Sequence, residues 1–134
     1  MRRRQSAQGL VEAMLFLVVL ASAAVSVAGL GLLARDDAAV AAVAADAAHA
    51  GAVASRAADV EPAARDRAEQ IADGYGLAAD RLALDVDPGQ FGRDGRVRVL
   101  ATYTEPLGQL GLPWGDVVLH HEAVEQVAPY RTFR

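Results

Sequence analysis

The feature that most constrains this chain is an uncharged, strongly apolar run over residues 13–34. Its length of about 22 residues corresponds to about 33 Å of α-helix at ~1.5 Å per residue. This is enough to cross a hydrocarbon core of about 30 Å, so we expect a transmembrane helix here. That helix leaves a soluble part of only about 100 residues, the size of one small domain.

The charges on the two sides of the apolar run predict its orientation. Arg2, Arg3 and Arg4 precede the run, whereas residues 35–37, with the sequence RDD, are nearly balanced in charge. Positive charges near a membrane helix favour the cytoplasmic side. We therefore expect a single-pass protein of the cytoplasmic membrane, with its N-terminus inside and everything after residue 35 outside.

Composition limits the partners and the covalent chemistry of the exported part. The net charge is −4, so the surface is mildly acidic and a nucleic-acid partner is not expected. The chain has no cysteine, which excludes disulfides and a lipoprotein anchor. The exported part must therefore be stabilised by packing, by its membrane anchor or by partner proteins.

The periodicity of apolar residues beyond the membrane segment predicts an α+β fold. Residues 35–58 are rich in alanine and free of proline, so the membrane helix should continue into solvent as one long rod, with a bend at Gly51. A short helix should follow over residues 63–73, after Pro62 and before glycines at 74 and 76. Alternation with a period of two predicts three strands, at 82–87, 96–104 and 116–127, joined as an antiparallel meander.

The stretch RRRQSAQGLVEAML, residues 2–15, places the carboxylate of Glu12 between an arginine cluster and the apolar run. It resembles the processing site of type IV-like prepilins, in particular the TadE-like pseudopilins of tight-adherence (Flp pilus) systems. Those proteins have a short basic leader, a small residue at the cut and a glutamate five positions into the mature chain. On this pattern Ala7 ends the leader, Gln8 and Gly9 begin the mature chain, and Glu12 is its fifth residue.

The resemblance extends loosely to the tail, where DVDPGQFGRDGRVRV and PLGQLGLP look like TadE-like segments. It implies a leader at 1–7, a processing motif and transmembrane helix at 8–34, a helical stalk at 35–58 and an exported α+β domain at 59–134. It also implies cleavage by a prepilin peptidase. The implied partners are other TadE- and TadF-like subunits, the Flp pilin, and an inner-membrane assembly platform with its ATPase.

A physical reason for the spacing of Glu12 follows from the proposed cut. Cleavage before Gln8 creates an α-amino group whose reference pKa of about 8 leaves it largely protonated. Four residues further along a helix, the Glu12 carboxylate lies ~6 Å away along the axis. If neighbouring subunits stack with a similar axial step, the acid of one meets the amine of the next among apolar helices. Glu12 would then set the register of assembly.

Alternative interpretations of the N-terminal region remain open at this point. Residues 21–23 (ASA) could be a secretory cleavage site, which would release a soluble domain. The anchor could also stay uncut and carry a small binding domain unrelated to pili. Glu12 itself could be a solvated acid at the headgroup level, paired with a leader arginine.

No catalytic, metal or cofactor site is predicted. His120 and His121 are adjacent in a strand and should point to opposite faces, which leaves only His120 and Glu122 on one side. His49 has no partner in helical register. The acids at 85, 87 and 94 flank turns rather than forming a calcium loop, and no serine belongs to a recognisable catalytic motif. We expect a protein that is not an enzyme.

Overall fold

The computed structural model describes residues 2–92, 94–110 and 115–127, with the backbone alone for 2–8 and 109–110. Within these residues, two α-helices precede a three-stranded sheet. The helices are α1 (Arg2–Ala52) and α2 (Val60–Tyr75), and the strands are β1 (Leu82–Asp87), β2 (Arg96–Pro106) and β3 (Asp116–Gln126). Short 3-10 turns lie at Ala57–Asp59, Ala79–Arg81 and Leu107–Leu110. The predicted α+β class and the order of its elements are confirmed.

The long helix α1 runs unbroken through both the apolar run and the alanine-rich segment, as the lack of proline predicts. Its two halves have different surroundings. The apolar half is largely exposed, whereas Val40, Val43 and Ala47 in the second half are fully buried. The prediction that residues 35–58 extend into solvent was therefore wrong. Small side chains let this half lie close to α2 and the sheet, which removes more apolar surface from water.

The end of α1 also differs from the prediction. The helix ends at Ala52 rather than at Ala58, just after Gly51, where a bend was predicted. A Cβ atom on Gly51 would lie 3.0 Å from Val97 Cγ1 and 3.2 Å from Val60 Cγ1. Glycine at this position therefore allows α1, α2 and β2 to approach closely.

The second helix, α2, is longer at both ends than the predicted 63–73. Pro62 lies in its first turn, where a missing N–H costs nothing. Gly76 ends the helix in the left-handed conformation, with φ of 74°, while Gly74 lies inside the helix. The buried face consists of Val60, Ala64, Ala68 and Ala72.

The sheet is an antiparallel meander in the order β1-β2-β3, as predicted. β2 continues beyond the predicted end at Thr104 to Pro106, which pairs with Asp116 at the start of β3. Every second residue of β2 points towards the helices. The fully buried residues of this row are Val97, Val99 and Ala101, and Tyr103 is nearly so.

The helices cover one face of the sheet and lie antiparallel to each other. α1 packs mainly on β2 and β3 and along α2, so its second half is the centre of the hydrophobic core. The opposite face of the sheet is largely exposed and polar, and Arg98 Nε lies 3.1 Å from Glu122 Oε1 there.

Candidate functional site

The N-terminal half of α1 presents a continuous apolar surface that no described element covers. Phe16 is 70% exposed and Leu17 is 67% exposed, values that a soluble domain rarely shows for such side chains. Among the described residues, α1 is long and apolar enough to cross a membrane. Other exposed large apolar residues on it are Leu10, Val11, Met14, Leu15, Val18, Val19, Leu20, Val25, Val27, Leu30 and Leu32.

The two serines within this apolar surface have their hydroxyl groups satisfied inside the helix. Ser22 Oγ donates to the carbonyl oxygen of Val18 at 2.8 Å, and Ser26 Oγ donates to that of Ser22 at 2.9 Å. Hydroxyls bonded in this way do not need water. The segment is therefore compatible with a hydrocarbon environment along its whole length.

Glu12 lies on this helix surface and is exposed among apolar neighbours such as Val11 and Leu15. Of the residues whose side chains are described, none forms an ion pair with it. A carboxylate in such surroundings is costly in lipid unless a cation reaches it. The Glu12 side chain is therefore accessible on the surface of α1.

The predicted processing site lies at the start of α1. The backbone of Ala7, Gln8 and Gly9 is helical, as is that of the arginines at 2–4. The side chains of residues 2–8 lie outside the part of the chain that the structure describes. Gly9 is exposed, and nothing lies within 4 Å of the place a Cβ would occupy. The distance along the axis from residue 8 to Glu12 is ~6 Å, as four helical residues require.

Polar contacts join α1 to the folded domain where the apolar half ends. Arg35 Nη2 donates to the carbonyl oxygen of Tyr75 at 3.0 Å, which satisfies a carbonyl at the end of α2. His121 Nε2 lies 2.8 Å from Asp37 Oδ1. The sequence analysis assigned residues 35–37 only to orientation. Nothing in the local sequence reveals these contacts, because their partners lie 40 and 84 positions away along the chain.

The histidines follow the predicted alternation of faces. His120 is exposed on the outer face, and His121 is half-buried towards α1. His49, which has no partner in helical register, has one on β3: its exposed Nδ1 atom lies 3.5 Å from Glu125 Oε1. Among the described residues there is no group of three or more ligand-type side chains that could hold a metal ion.

The acids of the β1–β2 connection act as turn residues, as predicted. Asp87 Oδ1 accepts a hydrogen bond from the Gly89 N–H at 2.8 Å. Asp94 has φ of 70°, a conformation that aspartate tolerates better than most residues. Asp85 is exposed on the outer face of β1. Asp87 and Asp94 therefore belong to the turn, whereas Asp85 lies within the strand.

A shallow groove of about 400 Å³ lies between α2 and the edge strand β1. Its floor includes Leu77, Leu82 and Leu84, and charged side chains such as Glu69 and Asp73 line its rim. The lining contains no serine, threonine, cysteine or histidine, and its acidic groups are Glu69 and Asp73. The groove could accept a small apolar segment, but its chemistry does not select one.

Comparison with known proteins does not identify the chain. No protein-family model matches it, and neither a curated protein nor a solved structure does. The resemblance to TadE-like pseudopilins therefore stays a prediction, drawn from residues 2–15 and from the two tail segments.

Proposed function

We propose that this protein is a TadE-like pseudopilin or minor-pilin-like subunit of a tight-adherence (Flp pilus) assembly or secretion system. In this proposal a prepilin peptidase cuts between Ala7 and Gln8 at the cytoplasmic side. The retained helix anchors the mature chain in the cytoplasmic membrane, and the α+β domain lies on the outer side. The protein is a substrate of an enzyme and a component of an assembly, and it has no catalytic role itself.

The observation that carries this proposal is the exposed carboxylate of Glu12 on an otherwise apolar helix surface. A simple membrane anchor gains nothing from an acid at that position, because a charge near hydrocarbon raises the cost of insertion. A subunit that stacks laterally does gain from it. The α-amino group of a neighbouring mature chain can supply the missing cation, and the pair then fixes the axial step between helices.

The shape of the chain also supports assembly through α1. The apolar half is largely exposed, with only its last turn at Leu33 packed against the core, and the other half is held within the core. Subunits can therefore pack by their apolar helices while their domains keep one orientation relative to those helices. This arrangement would suit contacts with TadE- and TadF-like subunits, with the Flp pilin and with the membrane platform.

The rival proposal is a signal-anchored or secreted binding domain that is unrelated to pili. The groove between α2 and β1 is the observation that favours it, since it could take an apolar segment of a ligand. Under this rival, Glu12 has no partner on a neighbouring helix, and no cut occurs between Ala7 and Gln8.

The intact mass of the protein extracted from native membranes separates these proposals. A mature chain that starts at Gln8 supports the prepilin assignment. A chain that starts at residue 24 identifies a secreted protein, and a chain that retains Met1 identifies an uncleaved anchor. Either of these two results contradicts the proposed function.

Variants at the residue before the cut provide the control. Ala7→Gly should be processed like the natural chain, because a small side chain still fits the peptidase. Ala7→Trp should accumulate as the full-length form in the membrane. Equal processing of both variants would mean that the peptidase does not act at this bond.

A further inference from the structure

We propose that the folded domain rests directly on the membrane, with the end nearest the apolar half of α1 lying in the lipid headgroup layer. The inference depends on the membrane anchor in the proposed function, but it adds an interaction surface that an anchor alone does not require. We call this surface the membrane-facing end. It is formed by Arg35, the end of α2 at Tyr75, and the 3-10 turn Leu107–Leu110.

The folded domain begins before the apolar run ends. Leu33 is part of the uncharged run over residues 13–34, and it also packs against the hydrophobic core. Arg35 and Asp37 bond to the domain within the next turn of the helix. No spacer therefore separates the membrane segment from the domain.

The contacts between the helices show which end of the domain is involved. Arg35 contacts Tyr75 near the apolar half, while Gly51 lies against Val60 at the other end. α2 therefore runs antiparallel to α1, and its C-terminus points towards the membrane segment.

The sheet is oriented in the same way. β3 contacts α1 at His121 through Asp37, and further along at Glu125 through His49. The start of β3 therefore points towards the membrane segment. Since Pro106 at the end of β2 pairs with the start of β3, the turn Leu107–Leu110 lies at that end too.

The thickness of a bilayer then sets how many residues of α1 beyond the apolar run lie in the headgroup layer. A hydrocarbon core of about 30 Å within a total of about 40–45 Å leaves a headgroup layer of roughly 5–7 Å on each side. With residue 34 at the edge of the hydrocarbon, that layer covers about four further helical residues. Arg35 and Asp37 lie in it, and the groups bonded to them are held at the same level.

The chemistry of the membrane-facing end suits this layer. Tyr75 is 43% exposed, and tyrosine is enriched where apolar and polar regions of a membrane meet. Asp73, Asp80 and Asp116 are exposed near the same end, so it is not a basic patch. We therefore infer contact with lipid headgroups in general and no preference for anionic lipids.

The absence of cysteine from the chain makes a direct test possible with single-cysteine variants of the full protein. A fluorescent label is attached at Tyr75→Cys or Gly108→Cys, both exposed at the membrane-facing end, and at Ser55→Cys as a control. Each variant is reconstituted in phosphatidylcholine vesicles that contain a lipid with a nitroxide on its headgroup. Circular dichroism checks that each variant is folded.

We expect labels at 75 and 108 to lose roughly half of their fluorescence and the label at 55 less than about a tenth, since α1 rises ~25 Å from Arg35 to its end at Ala52, just before residue 55. Replacing much of the phosphatidylcholine with phosphatidylglycerol should leave this pattern unchanged. Clearly stronger quenching in the anionic vesicles would overturn the inferred lack of preference.

A label at Leu20→Cys, quenched by a nitroxide on the acyl chain, separates failure of the inference from failure of the anchor. Quenching at residue 20 without quenching at 75 and 108 would show an anchored chain whose domain stands away from the lipid, and would overturn the inference. No quenching at residue 20 would overturn both the anchor and the inference that rests on it.

Discussion

Glu12 and Glu105 are two carboxylates that carry their charges under opposite conditions. Glu12 is exposed on a helix surface that is otherwise apolar, and none of the residues with described side chains pairs with it. Glu105 is 8% exposed and lies 3.8 Å from Arg81 Nη1 within the same chain. The first is accessible on the surface of α1, whereas the second has a partner inside the domain.

Replacement of Glu12 tests the assembly role. We expect Glu12→Ala and Glu12→Gln to insert into the membrane as the natural chain does, because neither adds a charge. Both should lose cross-links between neighbouring subunits, since the α-amino group of the next chain no longer has a counter-ion. Cross-linking in native membranes, followed by electrophoresis, measures this.

Glu12→Asp keeps the charge and serves as the matched control, so part of the cross-linking should remain. Cross-linking that is unchanged in Glu12→Gln would contradict the register mechanism, because that variant keeps the size of the side chain and removes only its charge.

Replacement of Arg81 tests the stabilising role of the buried pair. Arg81→Met should lower the free energy of unfolding by about 1–3 kcal/mol, because it leaves the Glu105 carboxylate buried without this partner. Adding Glu105→Gln should recover part of the loss. Urea unfolding in detergent micelles, followed by circular dichroism, measures both.

Arg65→Met is the control for this prediction, since Arg65 Nη2 pairs with Glu61 Oε1 at 2.9 Å on the exposed face of α2. An exposed pair at this helical spacing contributes roughly 0.3–0.5 kcal/mol. Equal losses in the Arg81 and Arg65 variants would mean that burial of Glu105 has no energetic consequence.

The helix α1 combines two surfaces of different character within one element. Its first half is lined with large apolar side chains, and its second half has alanine and valine at positions 40, 43, 44, 47 and 48, on one face. Small residues at a helical spacing allow close approach to the sheet and to α2. The change in residue size therefore marks the change from the exposed apolar half of α1 to its buried half.

Gly51 is the point where three elements meet, and it gives a test of that close packing. Gly51→Val should lower the free energy of unfolding by about 1–3 kcal/mol, because its Cβ alone would lie 3.0 Å from Val97 Cγ1. Thermal unfolding in micelles, monitored by circular dichroism, is a suitable measurement.

Gly74→Val provides the comparison, since Gly74 also lies in a helix but has nothing within 4 Å of the Cβ position. We expect a change within about 0.5 kcal/mol there. A loss at Gly74 as large as that at Gly51 would show that backbone preference, not crowding, is responsible.

At the scale of the whole molecule, α1 joins the apolar segment to the folded domain, so the orientation of this helix sets that of the domain. Replacing Arg2, Arg3 and Arg4 with asparagine should reduce the fraction of chains with the domain outside, because the positive charges that hold the N-terminus inside are lost. A membrane-impermeant maleimide, applied to intact cells that express a Ser55→Cys form, reports this fraction.

Arg65→Asn removes a positive charge from the folded domain and should leave labelling at residue 55 unchanged, because charges far from the membrane segment contribute little to orientation. Unchanged labelling in the triple arginine variant would contradict the predicted role of the leader.

Much of the fold could be predicted from local patterns. The lack of proline across both halves of α1 predicted one helix, and alternation in residues 82–87 and 96–104 predicted paired strands with the correct inward row. The predicted ends of the helices were less accurate. Ala58 and Asp73 were both wrong as helix ends, because Gly51 packs at a crowded contact, and Gly76 rather than Gly74 takes the left-handed conformation.

Only part of the candidate site could likewise be predicted from the local sequence. The apolar run and the position of Glu12 could be predicted from neighbouring residues, because insertion in lipid depends on the length and polarity of one segment. The burial of the alanine-rich half, the contact of Arg35 with Tyr75 and that of Asp37 with His121 could not. The sequence of an alanine-rich helix does not distinguish a helix that stands alone in solvent from one that packs in a core. Only contacts between elements distant in the chain place this helix at the centre of the core.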